Sequence, residues 1–157
     1  MSIYIFTLDV PAIGKAKKFN RFTGKGYNPD EVVSFLNLVT ISARVVLPPR
    51  ITTPLRVQIE AYFEWPQSKW RTRNPRGYER MAEKPDADNI SKAVLDGMRA
   101  YFDDKQVCDL RVLKFRVPQG QPARTVISVE PVTNVLYSTD PPIIDELPLF
   151  GFARAGP

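Results

Sequence analysis

The sequence of 157 residues contains no histidine and a single cysteine, Cys108. A disulfide within the chain, a Cys/His nucleophile pair and the usual zinc sites are therefore excluded. Acid, base and metal-ligand roles must fall to carboxylates, lysine, tyrosine or a metal-bound water. Such oxygen ligands favour Mg²⁺, for which Mn²⁺ can substitute. We expect Cys108 to be a small buried residue of a strand.

The sequence also lacks a long hydrophobic run. No apolar stretch approaches the roughly 18 residues that a membrane span needs, and the first residues show neither the charged region nor the cleavage site of a secretory signal. We therefore expect a cytoplasmic protein. The length suits one domain, and the 15 prolines indicate long, stiffened connections. We predict a folded domain over residues 1–133 and a proline-rich acidic tail over 134–157.

Hydrophobic periodicity predicts six main elements. The alternation from Leu55 to Trp65 indicates a strand with one buried face, and the stripe from Ile90 to Tyr101 indicates a core-facing helix. Asn28 and Pro29 are typical of a helix start, with Asn28 as the cap. The predicted order is β-α-β-α-β-β, an α+β domain with a mixed sheet covered by helices. The strands are expected over 3–10, 55–65, 106–117 and 124–132, and the helices over 29–47 and 89–101.

Two details refine this prediction. The apolar phase of the third main strand shifts between Val112 and Leu113, which indicates a bulge. The first helix carries a second apolar stripe beside its main one, so we expect it to pack against both the sheet and a partner subunit. The residues of this second stripe are Val33, Leu38, Ile41 and Val45.

Positive charge is concentrated in two segments that lack a sustained apolar period and are therefore interpreted as loops. Gly14–Tyr27 holds five basic residues and no acid, and Pro66–Lys84 holds six basic residues and two acids. Interleaved aromatics are typical of proteins that contact phosphates with cations and stack planar side chains on bases. Solvated surface charge is the alternative for either segment alone, and a membrane surface is disfavoured because neither is an amphipathic helix. The candidate DNA contacts are Lys15, Lys17, Lys18, Arg21, Lys69, Arg71, Arg73 and Arg76.

An acidic run, Lys84-Pro-Asp-Ala-Asp-Asn89, follows the second basic segment. The proline favours extended backbone, so Asp86 and Asp88 would project to one side, about 6 to 7 Å apart along the chain. There they could share a cation. Asp88 is also placed to cap the second helix, and Lys92 and Asp96 follow it at spacings of four on one helical face.

The turn Asp103-Asp104 after this helix could return beside the first two carboxylates. Three or four clustered carboxylates repel one another unless a divalent metal neutralises them. In phosphodiester hydrolysis such a metal would polarise a phosphoryl oxygen and activate a bound water, and Lys92 would stabilise the developing charge. The ordinary alternative is structural: Asp88 caps a helix, Asp103 closes a turn, and Lys92 with Asp96 is a surface ion pair.

These residues match a family signature. The sequence resembles the RusA family of Holliday-junction resolvases, whose pattern is D-x-D-N-x-x-K-x-x-x-D and then D-D-x-x-V. Here the pattern occurs as Asp86-Ala-Asp-Asn-Ile-Ser-Lys-Ala-Val-Leu-Asp96 and Asp103-Asp-Lys-Gln-Val107. The resemblance covers about Lys84 to Val117, agrees more loosely over Lys15 to Arg21, and does not extend to the tail.

The resemblance implies a homodimeric, Mg²⁺-dependent endodeoxyribonuclease that binds four-way DNA junctions and nicks two strands symmetrically. By position, Asp86, Asp88 and Asp104 would be metal-binding catalytic carboxylates and Lys92 the catalytic lysine. Asp103, as a further candidate ligand, and Asp96 would be supporting residues. Many members of this family come from phages or prophages, which suggests a bacterial host cell and a role in recombination, repair or phage DNA processing.

Two other functions stay open. One is a DNA-binding recombination accessory protein that does not cut, and the other is a nuclease that acts on flaps or other branched DNA. The complete acidic set disfavours the first, because a purely binding protein gains nothing from carboxylates that face phosphate.

The tail contains Glu146-Leu-Pro-Leu-Phe150, which resembles the Q-L-x-L-F peptide with which bacterial replication proteins dock on the sliding clamp. Glu146 replaces the usual glutamine, and Pro148 stiffens the centre. Leu147, Leu149 and Phe150 would be the apolar anchors. Folding of the tail back onto its own domain or its dimer mate is the alternative.

Overall fold

The computed structural model of the protein describes residues 2–15 and 17–132. The expected tail, with the segment Glu146–Phe150, lies outside the described residues, so the domain boundary near residue 133 stays a prediction. The helices are α1 (Asp30–Val46) and α2 (Ala87–Met98). The strands are β1 (Tyr4–Leu8), β2 (Lys18–Phe19), β3 (Gly26–Tyr27), β4 (Leu55–Phe63), β5 (Glu79–Arg80), β6 (Val107–Arg116) and β7 (Arg124–Pro131).

Five strands form one mixed sheet in the order β1-β7-β4-β6-β5. The strand β7 pairs antiparallel with both β1 and β4, whereas β4 and β6 run parallel. The parallel pair follows from its connection, because α2 carries the chain back to the end of the sheet where β4 began. This architecture confirms the predicted α+β fold, its mixed sheet and the order of its main elements. The hairpin β2–β3 and the short β5 were not predicted.

Both helices pack on one face of the sheet and bury the core there. Inward residues of neighbouring strands are register partners, with Val57 opposite Val129 and Ile59 opposite Ile127. Complete burial of each such side chain stabilises the fold by about 1.5–3 kcal/mol relative to an exposed one. The predicted helical stripes supply the other side of this core, with Phe35, Val39 and Ala43 from α1 and Ile90, Ala93, Val94 and Met98 from α2.

The second face of β4 is also covered, although the sequence predicted a half-buried strand. Arg56 and Gln58 are only 8% and 3% exposed. The guanidinium of Arg56 donates to Asp109 over 2.7 Å and to Glu130 over 3.0 Å. These charge-assisted bonds compensate its loss of water. Because β4 lies between β7 and β6, long side chains from both neighbours cover its polar face.

The start of α1 differs from the prediction by one residue. Pro29 occupies the N-cap position with an extended ψ of 151°, and no side chain in the described part of the chain caps the helix. Asn28 is therefore not the cap. Its Oδ1 atom is buried and has no hydrogen-bond partner among the described residues.

The bulge between β4 and β6 lies at Cys108, which is the extra residue in the register. The pairing is regular at Val112 and Leu113, where the sequence indicated a bulge. Cys108 is exposed rather than buried. The reason is the open edge of β6, since β5 borders that strand only at Phe115 and Arg116. Over the described part of the chain, neither helix has the length and apolar character needed to cross a membrane.

The two helices cross in close contact at Gly97. A Cβ atom at this position would lie 2.7 Å from Cβ of Val39 and 3.1 Å from the carbonyl oxygen of Leu36. The Thr40 hydroxyl donates to the carbonyl oxygen of Gly97 over 2.7 Å. The crossing fixes α2, and with it the acidic residues at both of its ends, against α1.

Candidate active site and nucleic-acid interface

Asp86 and Asp88, here called the N-terminal acidic pair, lie at the start of α2. Asp86 is the N-cap residue with φ −70° and ψ 145°, and Asp88 lies in the first helical turn. The pair is therefore not part of one extended segment, and Asp86 rather than Asp88 occupies the cap position, because the helix begins at Ala87. Free N–H groups and the helix dipole favour negative charge here, on either a carboxylate or a phosphate.

The segment before α2 is held by Lys114 of β6. Its Nζ atom donates to the carbonyl oxygens of Glu83 over 2.6 Å and of Pro85 over 2.8 Å. Its own carbonyl oxygen accepts from the N–H of Met81 over 3.0 Å. Lys114 thereby positions the backbone that leads directly into Asp86.

Lys92 lies one helical turn after Asp88 and donates to its Oδ2 atom over 2.9 Å. The two side chains are 60% and 64% exposed, so the pair adds little to the stability of the fold. This hydrogen bond is the main reason why the pKa of Asp88 lies below its ordinary value. A carboxylate and an ammonium group are therefore presented to solvent together beside the N-terminus of α2.

Asp103 and Asp104 lie at the other end of α2. Asp104 lies 3.6 Å from Arg99, the residue at which the helix ends. Lys105 pairs with Asp103 over 3.0 Å and holds the pKa of that carboxyl below its usual range. The 12 residues of α2 make a helix about 18 Å long. The structure therefore does not bring Asp104 to the N-terminal acidic pair within one chain.

The sequence predicted that the Asp103-Asp104 turn could return beside Asp86 and Asp88. For a single chain this prediction is wrong, because of how α2 connects the strands of the sheet. Since α2 runs antiparallel to β4 and β6, the residues before and after it lie at opposite ends of the sheet. The side chain of Gln106 fixes the turn there. It accepts from the N–H of Asp103 over 2.8 Å and donates to the carbonyl oxygen of Ile51 over 2.9 Å.

The N-terminal acidic pair has the donor chemistry that Mg²⁺ requires, since this ion is commonly held by one or two carboxylates and completed by water and substrate phosphates. Across residues 2–15 and 17–132, no group of three or more histidine, cysteine, aspartate or glutamate side chains is arranged to hold a metal ion. Within the described residues of one chain, Asp86 and Asp88 are the carboxylates placed at this helix end, and any further carboxylate ligand has to come from outside those residues or from a second chain.

Asp96, the last acid of the signature on α2, is tied into the fold. Its carboxylate pairs with Lys15 and, over 2.9 Å, with Arg99. The backbone N–H of Lys15 donates to the carbonyl oxygen of Asn89 over 2.9 Å. At Gly14, an added Cβ would lie 3.2 Å from Cβ of Asn89. Lys15 therefore anchors the N-terminal segment on α2, and its charge is paired with Asp96 within the chain. The DNA contact of Lys15 stays a prediction.

The first basic segment is a β-hairpin and not the expected loop. Residues 17–27, here called the basic hairpin, include β2 and β3, which pair antiparallel with Lys18 opposite Tyr27. All of them are exposed. Lys17, Lys18 and Arg21 take part in none of the ion pairs of the described residues. The strands are two residues long, too short for a hydrophobic period to reveal them.

The second basic segment contains cations in two different situations. Arg76 is 19% exposed, with its guanidinium 4.3 Å from an indole ring and 3.1 Å from a carboxylate. Lys69 pairs with Glu83 over 2.8 Å. Arg71 and Arg73 are exposed and have no ion pair among the described residues. Of the four DNA contacts predicted in this segment, Arg76 and Lys69 form ion pairs within it. Arg71 and Arg73 present their charge to solvent.

Two positioning residues were missed in the sequence. Lys114 could have been noticed as a cation two positions after Val112, a partly buried residue that packs against the core. Glu83 had no such signal in the sequence, because an acid within a basic segment does not by itself indicate a structural role. It accepts from Lys69 and from Arg116, which hold its pKa below the usual value, and so links the second basic segment to β6.

The geometry can be compared with known proteins. A family model described as "Endodeoxyribonuclease RusA" matches residues 10–130. This range contains the basic hairpin, both helices and both ends of α2. The chain is also 38% identical over 72 residues to the uncharacterized protein YqaN of Bacillus subtilis strain 168. That similarity covers 41% of this chain and 51% of the relative, so the chain spans about half the length of the curated relative it matches.

Proposed function

The chain belongs to the RusA family of endodeoxyribonucleases, and we propose that it is a Mg²⁺-dependent enzyme that resolves four-way DNA junctions by paired symmetric nicks. One observation carries the proposal. The signature residues Asp86, Asp88 and Lys92 stand together at the exposed N-terminus of α2, with Lys92 2.9 Å from Asp88. A phosphate that approaches this helix end meets the N–H groups, the ammonium group and the two metal-ligand carboxylates at one place.

Each residue has a role that follows from its position. Asp86 and Asp88 would hold the ion, which when bound supplies polarisation of a phosphoryl oxygen and a lowered pKa of a water molecule. Lys92 orients Asp88 through its hydrogen bond and places a positive charge where the phosphate gains negative charge. Lys114 holds the backbone of Pro85 and so sets where Asp86 begins the helix.

A homodimer is part of the proposal. Asp104 lies at the far end of α2 from the N-terminal acidic pair, so it can join that pair only across two chains. The turn that carries it borders an open cleft of about 710 Å³. The second apolar stripe of α1 offers a surface for association, because Ile41 and Val45 are 64% and 83% exposed. Two sites related by a two-fold axis would also match the symmetry of a four-way junction.

The test is cleavage of labelled four-way junction, flap and linear duplex, with and without Mg²⁺, by the unmutated protein and by Asp88→Asn. Asp30→Asn is a matched control, since Asp30 is also an exposed acid in the first turn of a helix. We expect symmetric nicks in the junction alone, retained by the control and lost in Asp88→Asn. Cleavage of the flap instead would identify a flap nuclease. Tight junction binding without any cleavage by the unmutated protein would identify a non-cleaving accessory protein.

The tail adds a separate proposal, docking on the bacterial sliding clamp through Glu146, Leu147, Leu149 and Phe150, which lie outside the described residues. Its support is the likeness of this segment to the clamp-binding peptide. A pull-down with clamp, comparing the intact chain with one truncated before Asp145, tests it. Equal capture of both chains would contradict the proposal.

A further inference from the structure

The basic hairpin closes through a tight turn that holds Phe22 at its tip. The side-chain oxygen of Asn20 accepts from the N–H of Phe22 over 2.8 Å and of Thr23 over 3.3 Å. The N–H of Gly24 returns to the carbonyl oxygen of Asn20 over 2.9 Å. Gly24 has φ of +64°, a left-handed conformation that costs glycine little. The turn therefore presents Phe22 at a defined position.

The hairpin below the tip is stiffened by a second ring. At Gly26, an added Cβ atom would lie 3.3 Å from Cε1 of Phe19, so the Phe19 ring lies across the opposite strand. Phe22 has no such contact among the described residues and is 99% exposed. The ring of Phe22 does not pack in the core, and it projects beyond the paired strands β2 and β3.

The surroundings of Phe22 indicate what could cover it. A single exposed apolar residue needs no explanation by itself. Here the ring is accompanied by four cations and no acid within residues 17–27, namely Lys17, Lys18, Arg21 and Lys25. An apolar protein surface is a poor match for this charge. Nucleic acid matches both features, since its phosphates attract the cations and the face of a base accepts the ring.

The hairpin also begins beside the proposed active site. The N–H of Lys15 is bonded to the carbonyl oxygen of Asn89, the residue after Asp88. Phe22 lies seven positions after Lys15, which is at most about 25 Å of chain. At about 3.4 Å per base along a strand, the tip lies within roughly seven base pairs of a phosphate held at the N-terminal acidic pair.

We propose that Phe22 enters the branch point of the DNA and stacks on a base that the branch leaves unstacked. A continuous duplex offers no such face, because its bases are stacked on one another. The cations of the hairpin then supply attraction to any DNA, and the ring supplies selectivity for branched DNA. This inference rests on the proposed function, in that branched DNA is the substrate.

The test uses the full chain carrying Asp88→Asn, so that bound DNA stays uncut. A four-way junction with 2-aminopurine beside the branch point and a linear duplex with the same sequence are titrated with this protein and with Asp88→Asn/Phe22→Ala. We expect the second protein to bind the junction roughly 5- to 100-fold more weakly, with duplex affinity unchanged within about twofold. The rise of 2-aminopurine fluorescence on binding, which reports an unstacked base, should disappear.

Two further variants sharpen the result. Phe22→Tyr keeps a ring and should restore both the affinity and the fluorescence. Thr23→Ser is the matched control, because it trims an exposed side chain of the same turn and keeps the hydroxyl that accepts from the N–H of Lys25 over 3.4 Å. Since Phe22 is 99% exposed, the thermal unfolding midpoint of Phe22→Ala should equal that of the parent protein.

The outcomes separate the two proposals. If the unmutated protein nicks junctions while Phe22→Ala keeps the full affinity, selectivity and fluorescence change, the inference about Phe22 is overturned and the proposed function stands. If the unmutated protein binds junctions with the ring-dependent fluorescence but never nicks them, the proposed function fails and the role of Phe22 stands. If it does not prefer branched DNA over duplex, both fail.

Discussion

The Nζ atom of Lys114 lies 2.8 Å from the carbonyl oxygen of Pro85, the residue that precedes Asp86. A second bond, over 2.6 Å, joins the same atom to the carbonyl oxygen of Glu83. A cation on β6 therefore fixes the path of the chain into the N-terminus of α2. The position of a candidate metal ligand thus depends on a strand residue that follows it by more than two dozen positions.

Removal of this cation should weaken Mg²⁺ binding at the proposed metal site. In Lys114→Met, the carbonyl oxygens of Glu83 and Pro85 lose their charged donor, so we expect the free energy of unfolding to fall by about 1–3 kcal/mol. The Mg²⁺ concentration for half-maximal nicking should rise about tenfold or more, as for other residues that orient metal ligands. Denaturant unfolding and a Mg²⁺ titration measure the two effects. An unchanged Mg²⁺ requirement would show that Lys114 has only a structural role.

The ion pair between Lys92 and Asp88 should set the acidic limit of activity. Asp88 has a pKa below its ordinary value because Lys92 donates a hydrogen bond to it. The lowered pKa stabilises the folded protein fully when the pH is above the ordinary pKa of the carboxyl. This stabilisation is lost as the pH falls through the lowered pKa. In Lys92→Gln the pKa should rise, so the acidic limb of Mg²⁺ binding should move to higher pH.

This shift can be followed by NMR titration of the Asp88 carboxyl and by the pH dependence of Mg²⁺ binding. Lys105→Gln, which breaks the corresponding pair with Asp103, is the control. It should move the titration of Asp103 and leave that of Asp88 unchanged. Identical titration of Asp88 with and without Lys92 would contradict the assignment.

Asp104 and Asp88 should complement each other between chains. In a mixed dimer of Asp88→Asn and Asp104→Asn, one site combines both altered residues, and the other combines both natural ones. Mixing the two inactive variants under conditions that exchange subunits should therefore restore nicking, at about one site per mixed dimer. No recovery, although mixed dimers are shown to form, would mean that the two residues do not share a site across the chains.

A side chain at position 97 should lower the free energy of unfolding. In Gly97→Ala, the new Cβ would lie 2.7 Å from Cβ of Val39, so the helices must separate, at a cost of about 1–3 kcal/mol in the free energy of unfolding. Gly77→Ala is the control, because no heavy atom lies within 4 Å of its added Cβ. Urea unfolding of both variants measures the difference, and equal stability would show that the crossing is looser than described.

Lys18 and Lys15 should differ in their effects on DNA binding and on stability. Lys18 is exposed and unpaired among the described residues, so Lys18→Ala should reduce the slope of log affinity for DNA against log salt concentration by about one. Lys15 is paired with Asp96, whose side chain is 16% exposed. Lys15→Ala should leave the salt slope nearly unchanged and lower the free energy of unfolding by about 1–2 kcal/mol. Equal effects of both substitutions on the slope would contradict this division.

The main elements were predictable because their signals are local. Alternation marks β4 and helical spacing marks α2, since one buried face imposes a period on the chain. The basic hairpin escaped because each of its strands has two residues and no buried face. The buried polar side of β4 escaped because Arg56 is covered by partners from strands that follow it by more than fifty residues.

The sequence by itself determined the available chemistry. Without histidine and with one cysteine, the expected metal ligands were oxygen donors, chiefly carboxylates. The signature from Asp86 to Lys92 lies within two turns of one helix, where spacing dictates which side chains meet. Only the tertiary structure decided which charges are left for a substrate. Lys15 and Arg76 are paired within the chain, and Lys18 has no ion pair among the described residues. Asp104 lies beside Arg99, at the other end of α2 from Asp88. These ion pairs and distances depend on how α2 runs back along the sheet between β4 and β6. No local pattern of residues encodes that path.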